Sequence, residues 1–256
     1  MKFHLLIISV FLMFAAFSAT VLMADIADGL VGHWLLDGNA ADSSGNGNDG
    51  TPSGDPVWVD TQPGFGQGLS FDGQDDRILL ETGASLAGPT DFSLSLWVKT
   101  DSGGAHTLVQ QRNGGISGEY ILNVGTSHNV AMNPGQVYFM VFNGNMQWEI
   151  WSSKTINDGV WHHLAAVREG QTGTIYIDGE PDGTAANNVL DLDGALKVAI
   201  GADIRNNTRY FKGEMDEVSI YNRALEPEDI QTLANSEKIL VEPVGTLTAT
   251  WGAVKH

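Results

Sequence analysis

Asp42, Ser44 and Asn46 stand at alternate positions with Gly47 next, so their side-chain oxygens, followed by the Asn48 carbonyl, can converge on one point. Hard divalent cations, calcium first among them, take oxygen sets of this kind. The loop is not an EF-hand: Ser53 stands where a bidentate glutamate is required, and further donors must come from elsewhere in the chain. The same residues also read as a tight turn in which Asp42 accepts backbone N–H groups, and both readings are open at this stage. A second acidic group, Asp72, Asp75 and Asp76 around Gly73, reads as turn chemistry, because Asx side chains shape such turns.

Glycan hydrolysis requires two carboxylates facing across a groove, roughly 5 to 9 Å apart. The candidate run is Glu214-Met215-Asp216-Glu217, in which strand alternation puts Glu214 and Asp216 on one face and Glu217 on the other. His162 and His163 follow Trp161, but adjacent strand residues diverge, so they are expected to pack and hydrogen-bond rather than chelate. There is no phosphate-binding Gly-Lys loop, nucleotide fingerprint or nucleophile elbow. Sugars are gripped by aromatic faces and a few polar forks. Tyr138, Trp148 and Trp151, near Asn143 and Asn145, supply the first, and Arg205, Asn206, Asn207 and Arg209 the second. Tyr138, Trp148, Trp151, Arg205 and Asn207 are therefore the candidate ligand-binding residues. In the competing view Trp148 is core and Trp151 a cross-strand partner.

The elements that must position these groups are strands. Phe92, Leu94, Leu96 and Val98 alternate with Ser93, Ser95, Trp97 and Lys99, which predicts a strand with one buried face. Similar patterns recur at 78–81, 120–124, 137–142, 146–151, 164–168, 174–178, 197–201 and 217–221, each bounded by Gly, Asn or Asp. Asn143-Gly144 and Asp178-Gly179 fit hairpin turns, so consecutive strands are expected to pair antiparallel. One short surface helix is expected over 226–235, with Pro227 at its first position and Ile230 and Leu233 on one face. Thirty-one glycines alongside seven Trp and ten Phe favour many strands and tight turns over disorder. The expected class is all-β, a two-sheet antiparallel jelly-roll sandwich.

The net charge of −18 repels nucleic acid and anionic lipid and welcomes divalent cations. The absence of cysteine removes disulfides, thiol catalysis and zinc-cysteine sites. Met1 to Ala24 reads as a secretory signal peptide, with Lys2 ahead of an apolar stretch and small residues near its end. An uncleaved anchor is the alternative, since the stretch is long enough to span a bilayer. A secreted, extracellular domain over 25–237 is expected, with no membrane insertion once the signal is cleaved, followed by a tail or last strand over 238–256.

Gly32-His33-Trp34-Leu35-Leu36-Asp37, then 42–50, Ser70-Phe71-Asp72-Gly73, Trp161-His162-His163-Leu164-Ala165, Tyr176-Ile177-Asp178-Gly179 and Gly213-Glu214-Met215-Asp216-Glu217-Val218 occur in one order. Together they resemble laminin-G-like, pentraxin-related jelly-roll domains of the concanavalin A-like lectin/glucanase superfamily. The resemblance covers about Gly32 to Asn235 and implies a non-catalytic module that binds carbohydrate, as a polysaccharide or a glycosylated surface, or an extracellular protein. It also implies a structural calcium ion tying the first strands to the last, with Asp216 joining Asp42, Ser44, Asn46 and Asn48 as donor. Laminarinase-like hydrolases of the wider superfamily carry Glu-x-Asp-x-x-Glu on one strand. Here Ser219 takes the last place, so the resemblance does not extend to that catalytic set.

Overall fold

The computed structural model describes residues 26–80, 82–88, 91–112, 118–125, 133–142, 147–186, 191–192 and 196–235. The expected leader over 1–24, the expected tail over 238–256 and the hairpin turn expected at Asn143-Gly144 lie outside the described residues.

Fifteen strands are present among them. In chain order they are β1 (Leu30–Trp34), β2 (Gly50–Ser53), β3 (Val57–Asp60), β4 (Gln67–Asp72) and β5 (Arg77–Leu80). Then come β6 (Phe92–Lys99), β7 (His106–Arg112), β8 (Glu119–Val124), β9 (Gln136–Phe142) and β10 (Gln147–Thr155). The last are β11 (Trp161–Glu169), β12 (Thr172–Ile177), β13 (Glu180–Ala186), β14 (Lys197–Ile200) and β15 (Lys212–Tyr221), followed by the helix α1 (Pro227–Asn235).

Two antiparallel sheets result. The eight-stranded sheet runs β13-β12-β11-β6-β15-β4-β3, with β1 also paired to β15, and the seven-stranded sheet runs β10-β9-β8-β7-β14-β5-β2. Their inner faces enclose one core in which Trp34, Phe92, Tyr120, Phe139 and Phe211 are fully buried. Side chains of that size each contribute about 1.5–3 kcal/mol on burial, which holds the sheets together without disulfides. The alternation at Phe92–Val98 is realised: Leu94, Leu96 and Val98 enter the core, while Ser95 pairs with Ala165 and Ser219 on the outer face. Asp178 and Gly179 take φ of 54° and 81°, the left-handed pair that a two-residue β12–β13 hairpin demands.

α1 packs Ile230 and Leu233 with Ile26, Ala165, Val167, Tyr221 and Leu225 on the outer face of the eight-stranded sheet. Asp229 sits in its first turn and accepts from Arg223 at 2.8 Å and from the backbone N–H of Glu226 at 3.2 Å. One outer face is thus closed by the chain's own apolar residues.

Candidate functional site

The Asp42 loop is closed by N–H donors. Asp42 Oδ1 accepts from the backbone of His33 (3.0 Å) and Ser44 (2.9 Å), and Oδ2 accepts from Asn48 N–H (2.9 Å). The Asn48 carbonyl accepts the Trp34 indole N–H at 2.9 Å, and Ser44 Oγ accepts from the Asn46 backbone at 3.3 Å. The Asn46 and Asn48 amides donate to the carbonyls of Leu30 and Val31. Burial alone would raise the Asp42 carboxyl; the Ser44 hydroxyl and the surrounding N–H groups outweigh it and hold the acid below the usual range. These oxygens do by hydrogen bonding what a cation was expected to do, so they fit a turn better than an ion.

Asp216 is not joined to that loop by any hydrogen bond or ion pair among the described residues. Its Oδ2 accepts from Thr61 Oγ1 (3.1 Å) and its Oδ1 from the Glu217 backbone (2.9 Å). Burial first, then the Glu217 and Asp37 carboxylates, push its carboxyl up to about 8. Strict alternation predicts Glu217 on the opposite face, and the structure corrects this. Three steps along β15, from Asp216 to Ser219, match two along β6, from Trp97 to Ser95, so one extra residue bulges out with Glu217 at φ 51°. The bulge turns Glu217 to the outer side, where its Oε2 meets His33 Nε2 at 2.7 Å, and it places Ser219 on the face of Asp216. Glu217 Oε1 is buried without a partner. Leu36, beside Asp37, is also left-handed at φ 56°, so strained backbone flanks the acids from both sides. Asp37, Asp216 and Glu217 repel one another, and Glu217 Oε1 is the oxygen in this group left unpartnered, whereas the acidic trio whose carboxylate oxygens all lie within 4.8 Å of one another among the described residues is Asp72, Asp75 and Asp76.

The histidines behave as packing and hydrogen-bonding residues. His163 Nε2 lies 2.9 Å from Ser95 Oγ in the buried outer layer, while His162 stands between Asp178 (2.8 Å) and Asp158 (3.2 Å). Asp76 accepts from the Asp55 and Asp72 backbones at 2.8 and 2.9 Å, and Asp72 accepts from Gln74 N–H at 2.7 Å, the turn chemistry expected of that group.

The aromatic candidates lie on the outer face of the seven-stranded sheet. Register sets Gln110, Ile121, Met140 and Glu149 in one row across β7, β8, β9 and β10, with Asn123, Tyr138 and Trp151 in the next. The Tyr138 and Trp151 rings stand 6.0 Å apart, and the Tyr138 hydroxyl donates to Glu149 at 2.6 Å. Trp148 pairs with Val141 in the strand ladder; its side chain lies outside the described residues. Arg112 ion-pairs with Glu119 (2.8 Å) and Asp203 (3.5 Å), and Asp203 stands 3.8 Å from Arg205. With its amide oxygen turned to Arg209, Asn123 bridges that guanidinium (3.2 Å) and the Thr107 hydroxyl (2.9 Å). Tyr138, Trp151 and the Arg205 loop thus belong to one polar-aromatic surface, and Asn207 of that loop accepts from Arg77 of β5 at 3.0 Å.

Gln110, Arg112, Glu119 and Asn123 were missed from sequence. Gln110 has 0 % exposure, yet neither its amide nitrogen nor its oxygen has a partner, and Trp151 Nε1 is likewise unpartnered. Polar residues at even spacing on one strand face, Gln110 and Arg112 two apart and then Glu119 and Asn123 four apart, were the signal.

Two antiparallel sheets around one core, one outer face closed by a helix and the other polar and aromatic, define a jelly-roll sandwich of the kind used by binding domains. The chain belongs to the concanavalin A-like lectin/glucanase superfamily: a laminin-G family model of that description matches residues 72–231. A rat sushi, von Willebrand factor type A, EGF and pentraxin domain-containing protein is 26 % identical over 134 residues, 45 % of this chain and 4 % of that protein. A mouse basement membrane-specific heparan sulfate proteoglycan core protein is 39 % identical over 51 residues, 20 % of this chain and 1 % of that protein. The chain thus matches a few per cent of the length of these curated relatives. Among solved structures, domain 4 of AbnA, a GH43 extracellular arabinanase from Geobacillus stearothermophilus, in complex with arabinotriose, aligns with TM-score 0.66 and 24 % identity over 80 % of this chain and 98 % of that one. A botulinum neurotoxin type C structure, whose cell entry depends on two ganglioside molecules, aligns with TM-score 0.64 and 17 % identity over 84 % of this chain and 53 % of that one.

Proposed function

We propose that this chain is an exported, non-catalytic carbohydrate-binding module whose ligand lies on the outer face of the seven-stranded sheet. The observation that carries the proposal is the Tyr138–Trp151 ring pair, Trp151 partly exposed, on the sheet face whose buried Gln110 amide has no partner of its own. Sugar hydroxyls need such groups, and C–H faces of a pyranose bury against such rings. The fold-mate bound to arabinotriose lends the sugar class further support. Absence of catalysis is favoured because Asp216 and Glu217 are buried on the other sheet, and Glu214 is held by Lys99 at 3.1 Å. Export rests on the leader-like stretch Met1 to Ala24; no helix among the described residues is long and apolar enough to cross a membrane. The test is binding of the full chain to an immobilised polysaccharide panel. Wild type should bind at least one polymer and Trp151→Ala about tenfold more weakly, given the ~1–1.5 kcal/mol an aromatic contact supplies. A blank panel together with specific capture of an extracellular protein would mean that this surface meets protein instead.

Calcium is part of the same proposal, held at Asp216 and Glu217, whose unpartnered Oε1 supports it, rather than by the Asp42 loop. The ion would neutralise carboxylates on β15 that repel one another. Calcium at a hundred times its dissociation constant should raise the melting temperature by on the order of 5–10 °C. Asp216→Asn should abolish that shift and Asp42→Ala should retain it; the reverse pattern would put the ion in the Asp42 loop.

A further inference from the structure

Charge is distributed unevenly over this chain. It has 13 Lys and Arg against 31 Asp and Glu. Yet five of those cations, Arg77, Arg112, Lys197, Arg205 and Arg209, stand on the outer face of the seven-stranded sheet or on the 201–210 loop beside it. The carboxylates that register or contact places with them are Glu119, Glu149 and Asp203. Glu119 and Asp203 are almost fully buried and engaged by Arg112, and Glu149 holds the Tyr138 hydroxyl. What this surface presents to solvent is therefore mainly cationic: Lys197 is exposed and Arg205 keeps 28 % of its side chain accessible, against one partly exposed carboxylate, Glu149.

Resting on the binding face proposed above, we infer that its ligand is an acidic glycan, whose carboxylate or sulfate groups are received by Arg205 and the adjoining Arg209 while its sugar rings lie against the partly exposed Trp151. Guanidinium forks match planar oxyanions in two-point hydrogen bonds, which a neutral sugar cannot offer. The loop that carries them is strained: Asn207 and Arg209 both take left-handed backbone, φ 51° and 55°, without being glycine. Such strain persists where surrounding structure imposes a geometry, and functional loops are its usual location. Arg209 is crowded by Arg112 and Arg205, and burial with that crowding holds its pKa below the ordinary value, against the pull of Asp203. An incoming anion would relieve this crowding. The chain as a whole is strongly acidic, so a polyanion is drawn to the surface where these cations gather.

The test is titration calorimetry of the full chain with polygalacturonate, heparin and a neutral arabinan, with Arg205→Gln and Trp151→Ala in parallel. An acidic polymer should bind at least about tenfold more tightly than the neutral one, and Arg205→Gln should remove about that factor while leaving the melting temperature unchanged, as loss of a charged hydrogen bond implies. Preference for polygalacturonate assigns a carboxylate, and preference for heparin a sulfate. Arabinan binding as tight as the acidic polymers, unaffected by Arg205→Gln but weakened by Trp151→Ala, would overturn the acidic ligand and leave the face a sugar site. Failure of all three polymers to bind folded protein would overturn the acidic ligand and the sugar-binding face together.

Discussion

His163 should make this protein sensitive to acid in a way that one substitution reverses. Its side chain is 1 % exposed, Nε2 meets Ser95 Oγ at 2.9 Å, and Nδ1 has no partner. Burial pushes the imidazole from its ordinary 6.5 down to about 4, with Asp178 pulling weakly the other way. A group with a depressed folded pKa binds its proton more readily in the unfolded chain. The stability tied to neutral His163 is therefore complete above pH 6.5, erodes as pH falls, and is gone once pH passes the folded value near 4. Each pKa unit corresponds to about 1.4 kcal/mol, so the whole effect is ~3 kcal/mol. His163→Gln keeps a hydrogen-bonding side chain that never titrates, at a cost of about 1 kcal/mol for the lost Ser95 geometry. Urea unfolding of both proteins at pH 7.5 and pH 4 gives the contrast. Wild type should be the more stable by about 1 kcal/mol at pH 7.5 and the less stable by ~2 kcal/mol at pH 4, other titrating groups cancelling in the difference. A gap of the same sign and size at both pH values would refute a neutral buried His163.

Gly66 takes φ 85°, and a Cβ there would collide with Asp37 Oδ1, so Gly66→Ala should cost about 2 kcal/mol or more in chemical denaturation. Gln110→Met fills the same space without an unpartnered amide and should raise stability by about 1 kcal/mol in the same assay. Arg112→Met leaves Glu119 and Asp203 without the cation they share, and a loss of about 3–5 kcal/mol is expected by thermal or urea unfolding.

The fold was legible where one strand face is apolar and the other polar. Phe92 to Val98 and Leu164 to Arg168 show their period because core and outer layer differ in chemistry. β7 did not show it: Gln111 enters the interior, where its amide exchanges hydrogen bonds with the Leu86 backbone at 2.7 and 2.8 Å, so both faces of His106–Arg112 carry polar side chains. β2 contains Gly50 and Pro52, which read as a turn, although β2 sits at a sheet edge where a missing N–H is tolerated. The Glu217 bulge left no trace because the residue that adopts left-handed backbone is a glutamate, and no composition rule announces that. Of the candidate site, Tyr138, Trp151 and Arg205 were found by residue type. The partners that complete it were not, since Gln110, Glu119 and Asn123 gain meaning only when four strands come into register.

Both outer faces hold unpartnered polar atoms, and what lies over each decides which can take a polymer. On the eight-stranded sheet His163 Nδ1, Ser219 Oγ and Glu217 Oε1 are orphaned. Neighbouring positions on that face are sealed by α1 and Ile26 through Ala165, Val167 and Tyr221, and Phe65 closes edge-on over Trp97 at 5.2 Å. Single waters or an ion can satisfy groups in such an interior; a sugar chain cannot reach them. On the seven-stranded sheet the orphaned Gln110 amide and Trp151 Nε1 are buried as well, but partly exposed Trp151, Phe142 and Glu149 and the solvent-facing Arg205 stand on the same surface. Unmet hydrogen-bonding capacity next to accessible rings and cations is the combination that a glycan completes, and of the two outer faces the seven-stranded one alone offers it.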